Sequence, residues 1–539
     1  MRISSLWQRP AYRWPVLFFG ASLLLGALIF GHYGVSWDED LQRQHGYVSA
    51  QYINEVYPYA DKSFNWRKLE EYQFRFHGVW FTLPLAWLEE AMGLSTPRQV
   101  YRMRHAATYF VFWLGTIFFY HILRRRFGNW RWALLGSVFL LLSPRIFGHA
   151  FFNPKDIPFL ALFVFSTWTL YRFWLKPGVS SGALHSLACG MLIGMRIIGV
   201  LMPVMTLFLF VAAPLLGKRG TLPSVGRRLL GLMAYVPLAI GCTVLFWPYL
   251  WIDPYQQFVT AFAEMSKYSW GGKVLFEGRL LFGTEIPWYY IPKWIGLTTP
   301  LLYQLLAVGG VVSLVQEWTR SWRTGFYGLW STGEQRMDWA ALGLLVAPIL
   351  AIIVLASVVY DGWRHLYFVY PSLLYLAVLG LRKLWKGARS GWQKRGLLAA
   401  VVLHTLYIGG WMVWNHPYQH IYFNALAPRP VLGQYDLDYW GTSYRIALQE
   451  LAQLDERPTI KVAFGSDYPG TQNLAYLHPE LQKRFEHTPN LEEADYYITN
   501  YRYWEDQLSR ALKREGVYAN EEVYTLQVGG AKTVGIYKL

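Results

Sequence analysis

Apolar runs of roughly the ~20 residues needed to cross a bilayer recur along the chain, separated by short polar connectors. They predict membrane crossings at about 15–35, 103–123, 131–148, 157–175, 181–196, 198–217, 229–250, 295–315, 339–358, 366–381 and 396–414, about 11 in all. The two runs that bracket Arg196 have an alternative reading as one broken helix, which would reverse the side of everything after them. Arg2, Arg9 and Arg13 precede the first run, which is long and has no small-residue cleavage site behind it. A retained signal anchor with a cytoplasmic N-terminus is expected. Alternating from there, the basic connectors 124–131, 218–228 and 382–395 fall inside, as positive-inside bias requires, and the chain ends outside.

Two external loops are too long to be plain connectors. The first, 36–101, contains Phe74 to Met92, where Trp80, Phe81, Leu83, Leu85, Trp87 and Leu88 mix with Glu89 and Glu90 around Pro84. That mixture predicts a helix lying in the membrane interface. The second, 251–294, is rich in aromatic residues. After Trp414 the charge density rises. Short strands are predicted at Thr459 to Phe464 and Ala494 to Asn500, with a hairpin from Glu522 to Tyr537 turning at Gly529-Gly530. The expected fold class is a polytopic α-helical membrane domain, residues 1–414, followed by a small extracytoplasmic α/β domain, residues 415–539.

Composition agrees. Only 16% of the residues are charged, against about 25% in soluble proteins, while 54% are hydrophobic and mean hydropathy is +0.17. A cytosolic enzyme, a disordered chain and a disulfide-stapled module are excluded. The net charge of +16 sits largely between apolar runs, in groups such as Arg124, Arg125 and Arg126, so it marks a cytoplasmic membrane face and not a nucleic-acid surface. Cys189 and Cys242 are the only cysteines, both in apolar segments, which gives no disulfide framework or thiolate metal site.

The chemistry is concentrated at external span ends. Trp37-Asp38-Glu39-Asp40 follows the first crossing, and clustered carboxylates repel unless they share a cation, a proton or a donor-rich ligand. Asn153-Pro154-Lys155-Asp156 lies at another external junction, and carboxylates at the edge of hydrocarbon are costly enough to suggest function. Arg145, Arg196, Arg364 and His365 are placed outside, against the positive-inside bias, which suits an anionic lipid headgroup. Each of these has a plainer reading: a solvated acidic turn, a proline-framed turn, or a snorkelling cation. The aromatic stretches Pro287 to Pro292 and Asn415 to Asn424 read as an interfacial belt, or as a surface for sugars or lipid tails. His32, His45, His77 and His149 are candidate metal ligands by type, but no two of them have helical metal-ligand spacing.

Ser36 to Asp40, followed by His45-Gly46-Tyr47 and Tyr52-Ile53, resembles the first-loop motif of the protein O-mannosyltransferases. Asp156 corresponds to the acidic residue of their second external loop. Pro287-Trp288-Tyr289-Tyr290 resembles an element shared with the aminoarabinose transferases that modify lipid A. These enzymes have the GT-C fold, family 39 type. The resemblance implies an inverting glycosyltransferase that moves a monosaccharide, hexose or pentose, from a polyprenyl-phosphate donor on the outer face of the membrane. In that reading Asp38 is the base, with Glu39 or Asp156 orienting the acceptor. Lys155, Arg196, Arg364 and His365 meet the donor phosphate. Asp40, His45, Trp288, Tyr289 and Tyr290 belong to the substrate surface. No cofactor is demanded, although a divalent metal ion on Asp38 and Asp156 is an alternative source of positive charge. The expected partners are the lipid-linked donor, membrane lipids and an acceptor left open among protein, glycan and lipid. The expected setting is a bacterial inner membrane with periplasmic chemistry. A transporter or flippase of a lipid-linked or anionic substrate is the rival reading.

Overall fold

A computed structural model describes residues 9–57, 67–216, 223–266, 270–324, 332–502 and 507–539. The predicted basic residues Lys218 and Arg219 lie outside the described residues. Helices stand at each expected crossing: α1 (Pro10–Ile29), α4 (Pro97–Phe127), α5 (Trp130–Leu141) with α6 (Pro144–Phe152), α7 (Asp156–Leu175), α8 (Val179–Ile193), α9 (Leu201–Leu216), α10 (Val225–Phe246), α13 (Leu301–Ser321), α14 (Gly333–Val354), α15 (Tyr370–Gly387) and α16 (Gly391–Trp414). Seven of the described helices are long and apolar enough to cross a membrane singly, and α5 with α6, bent by 67° at their junction, makes an eighth. This is fewer than the sequence pattern suggested. Helix α8 has 15 residues, about 22 Å of rise against about 30 Å of hydrocarbon, and α15 carries Arg382, Lys383 and Lys386 in its last turns. The Arg196 region is two helices joined by a 3₁₀ turn, Ile197–Val200.

Local sequence explains the helix ends. Thr96 and Gln99 form a capping box before Pro97 of α4, and Gly128 closes that helix behind its three arginines. Thr332 with Gln335, and Ser390 with Gln393, open α14 and α16 in the same way.

The first external loop folds into α2 (Glu39–Val56) and α3 (Thr82–Ala91). The interfacial helix is thus shorter than the predicted 74–92 segment. Trp87, Leu88 and Met92 are exposed on it, while Glu89 is buried between Arg43 and Arg104, with contacts of 2.5 and 3.0 Å. The second long loop holds α11 (Pro254–Ser266), the hairpin β1 (Lys273–Phe276) and β2 (Arg279–Phe282), and α12 (Tyr290–Thr298). The hairpin was not expected from sequence. It leans on the 434–436 segment, where Leu275 N donates to Asp436 at 2.9 Å.

Beyond α17 (Tyr444–Leu454) lies a five-stranded mixed sheet ordered β4-β3-β5-β7-β6: β3 (Ile460–Phe464), β4 (Phe485–His487), β5 (Tyr496–Thr499), β6 (Glu522–Val528) and β7 (Ala531–Lys538). Period-two alternation gives it two apolar faces. Val462, Phe464, Ile498, Val534 and Ile536 face α17, while Ala463, Tyr497 and Tyr537 pack with Leu512 on the other side. Residues from Tyr418 to Trp440 pack instead in the core of the membrane helices. The sheet domain is joined tightly to the first loop. Asn473, on α18 (Asp467–Tyr476), accepts from Val35 N and donates to Val35 O, both at 2.9 Å. Arg445 donates to the carbonyls of Gly31 and Tyr33. Gly34 permits this approach, since a Cβ there would meet Thr442 O at 2.2 Å and Asn473 Oδ1 at 2.6 Å.

Candidate active site

Five chain segments converge at one end of the helix bundle: 36–40, 153–156, Arg196, 360–365 and 439–440. The basic ends of α4 and α15 are at the opposite end. Asp156 opens α7, where the positive end of the helix favours a carboxylate. The turn before it is organised by Asn153, whose Oδ1 accepts from the backbone N–H groups of Lys155 (3.2 Å) and Asp156 (2.9 Å). Its amide nitrogen lies 3.0 Å from Asp156 Oδ2 and 3.1 Å from His149 Nδ1.

Arg364 links the two acidic segments predicted to meet. Its Nη1 donates to Asp38 at 3.2 Å and to Asp156 at 3.3 Å, and its Nη2 lies 3.6 Å from Asp361. Arg196 donates to the other oxygen of Asp156. One N–H-bearing nitrogen is therefore shared between two carboxylates at distances longer than the ~2.7–2.9 Å of an optimal charged hydrogen bond. Arg364 is also packed between Tyr360 and Trp440, with ring centroids 4.9 Å away on both. The side chain of Asp38 is 18% exposed and that of Asp156 only 1%, so Asp38 is the carboxylate open to a visitor.

Lys155 and His365 complete the basic side. Burial and the neighbouring Arg196 bring Lys155 down to about 7, against the pull of Asp38 and Asp156. His365 is held well below the ordinary imidazole range by burial and by Arg364, which keeps it neutral, and its Nδ1 has no partner. Beyond Lys155 lie His45 and His77, rings 5.0 Å apart, with His45 Nδ1 2.7 Å from Tyr72 Oη. Burial and Lys155 hold His45 neutral too, and its Nε2 is buried without a partner.

The structure thus brings together Asp38, Lys155, Asp156, Arg196, Arg364 and His365, with His45 alongside. It places the others elsewhere. Glu39 turns back onto its own helix start, accepting from Ser36 N at 2.7 Å and lying 2.9 Å from His105 Nε2. Asp40 accepts from Tyr101 (3.3 Å) and from Tyr468 (3.0 Å) of the sheet domain. Trp288 is 70% exposed, and Tyr289 donates to Glu277, so both point away from the acidic cluster. Tyr290 is buried behind the site, its hydroxyl accepting from Gly362 N at 3.1 Å. Arg145 is sandwiched between Trp294 and Phe423. Both carboxylate oxygens of Asp156 meet guanidinium groups, and one oxygen of Asp38 does. Among the described residues no group of three or more His, Cys, Asp or Glu side chains is arranged to hold a metal ion.

Several site residues were not picked out from sequence. Trp440 and Arg502 come from beyond the membrane helices: Trp37 N donates to Trp440 O at 3.0 Å, Arg502 stacks over Trp37 at 5.2 Å, and its Nη2 meets Asp361 at 3.0 Å. The Asp361-Gly362 pair was visible as a turn signal beside Arg364. Arg502, in an unremarkable Asn-Tyr-Arg-Tyr stretch, carried none.

No protein-family profile matches the sequence, and no curated protein sequence matches it. Similar solved structures exist. ArnT from Cupriavidus metallidurans in the apo state superposes with a TM-score of 0.52 at 15% identity, covering 98% of both chains. The same protein with undecaprenyl phosphate bound gives 0.44 at 14% identity over 97% of this chain and 98% of that one. The apo oligosaccharyltransferase of Archaeoglobus fulgidus gives 0.48 at 11% identity over 88% of this chain and 65% of its own. The chain has the GT-C fold, that of a class of membrane glycosyltransferases. With its apolar helices it is a multi-pass membrane protein that carries a small C-terminal sheet domain.

Proposed function

We propose that the protein is a family 39 type glycosyltransferase that transfers a monosaccharide, with inversion, from a polyprenyl-phosphate donor to an acceptor at the outer face of a bacterial inner membrane. The observation that carries this reading is the meeting of Asp38 and Asp156 on Arg364, with Arg196 and Lys155 beside them, where the helices leave the bundle. A donor phosphodiester needs positive charge as its C–O bond breaks, and an incoming nucleophile needs a base. Asp38, the more exposed carboxylate, takes the acceptor proton as the new bond forms at the anomeric carbon. Asp156 is too enclosed for that role and holds Arg196 and Arg364 in place. The departing phosphate takes up the electron pair of the broken bond and is met by Arg364, Arg196, Lys155 and the neutral His365. Because Asp38 shares Arg364 with Asp156, an arriving phosphate competes for the guanidinium and releases Asp38 from its ion pair. His45 borders the lysine side, and the exposed Trp288 and Tyr289 belong to a more distant surface.

The test is sugar transfer by purified protein in lipid nanodiscs, supplied with a panel of polyprenyl-phosphate pentoses and hexoses. Transfer to any acceptor that disappears in Asp38→Asn, with donor binding retained, supports the reading. Movement of the intact lipid between leaflets without transfer would favour the flippase instead.

A further inference from the structure

We propose that Asp361 and Arg502 are a positioning pair through which the C-terminal sheet domain sets Arg364 across Asp38 and Asp156. The domain is in this view a structural part of the phosphate site. The inference rests on the transferase reading above and deepens it.

Asp361 has φ +55° and Gly362 φ +73°, two consecutive left-handed residues immediately before Trp363 and Arg364. Glycine adopts this backbone freely and aspartate more readily than most residues, and here the surroundings fix it. The holding groups are identifiable. Asp361 is buried, with one carboxylate oxygen 3.0 Å from Arg502 and the other 3.6 Å from Arg364. Gly362 N donates to Tyr290. The same Arg502 donates to Tyr439 O, beside Trp440, and its guanidinium covers Trp37, beside Asp38.

The geometry has a direction. Arg502 is held by the sheet domain, Asp361 is held by Arg502, and Arg364 is held by Asp361 and by the Trp440 ring. Remove Arg502, and among the described residues Arg364 is the cation left beside the buried carboxylate. That guanidinium would then be drawn toward Asp361 and away from the two carboxylates it now bridges. Transferases of this kind gain rate from donors fixed before the substrate arrives, so the pair supplies that fixing without touching the substrate.

The experiment uses the full chain in nanodiscs and undecaprenyl phosphate as the titrant, with affinity read by native mass spectrometry. The variants are Asp361→Asn, Arg502→Met and Arg502→Lys, each alone and combined with Arg364→Lys. Asparagine tolerates left-handed backbone, so Asp361→Asn removes charge while preserving the turn. Asp361→Asn and Arg502→Met are expected to weaken binding on the order of 10–100-fold in the molecules that remain folded, the scale of a small misplacement in a site, with a lowered melting temperature because each leaves a buried charge without its partner. Arg502→Lys recovers part of that loss. Combination with Arg364→Lys adds nothing, because the pair acts only through Arg364. Wild-type affinity in Asp361→Asn, or losses that add to that of Arg364→Lys, overturns the pair's role while leaving the transferase reading intact. Failure of the wild type itself to bind undecaprenyl phosphate overturns both.

Discussion

Two arginine–aspartate contacts join helices at opposite ends of the bundle, and they are built differently. At the basic end Arg126 meets Asp338 through two hydrogen bonds of 2.6 Å, Tyr375 donates to the same carboxylate at 2.6 Å, and Glu334 lies 3.0 Å from the third guanidinium nitrogen. Each charged oxygen there has a close partner from the protein. At the other end one nitrogen of Arg364 is divided between Asp38 and Asp156 at 3.2 and 3.3 Å, and Asp38 is partly open. A guanidinium with saturated partners fastens helices. One whose partners are stretched and shared can exchange them for a phosphate, and this difference separates a structural ion pair from a candidate site made of the same residues.

The sharpest way to break the comparison is to neutralise one carboxylate at each end. Asp38→Asn is expected to lower sugar transfer about 1,000-fold, the scale of losing a general base, while the melting temperature stays near that of the wild type. Asp338→Asn should do the reverse, costing about 3–5 kcal/mol of stability by taking from buried Arg126 its buried partner, with normal turnover in the molecules that remain folded. Thermal unfolding and transfer assays on the same preparations decide it. If Asp338→Asn abolished transfer without loss of stability, the contrast would fall.

Titration gives a smaller effect. Lys155 is charged below about 7 and neutral above it, whereas a donor phosphodiester keeps its charge throughout. Donor affinity should therefore fall about tenfold between pH 6 and pH 8, the scale of one ion pair at partial burial. Lys155→Met should flatten the profile at the low value, and Lys155→Arg at the high one. An unchanged slope in Lys155→Met would assign the titration to another group. Smallest of all, Trp288→Ala is expected to change transfer by less than about twofold, in keeping with an exposed side chain away from the cluster. A large loss would extend the site to the surface where sequence similarity had placed it.

The site was readable as far as its cost was readable. Asp38, Asp156, Arg196 and Arg364 stand at helix ends where charge is expensive, and that expense marks them without any knowledge of the fold. The direction of a side chain is another matter. Glu39 sits beside Asp38 but faces His105 and the Ser36 amide, and His105 comes from a helix that one sequence does not place beside it. Arg502 meets Asp361 across 141 positions, and neither neighbourhood advertises the other. In the sheet domain β3, β5 and the Gly529-Gly530 hairpin were evident from alternation. The three-residue β4 and the loop hairpin β1-β2 were too short to show a period. Helix α8 is apolar but shorter than a full span, so apolarity alone does not set the number of crossings.

The grip of Asn473 on Val35, 438 residues away in sequence, bears on biosynthesis. The tip of the first loop gains this partner only after Asn473 has been made. A nascent chain that stops short of Asn473 can insert its early spans and make the Glu39–His105 contact, but it lacks the clasp on Val35 beside the acidic turn.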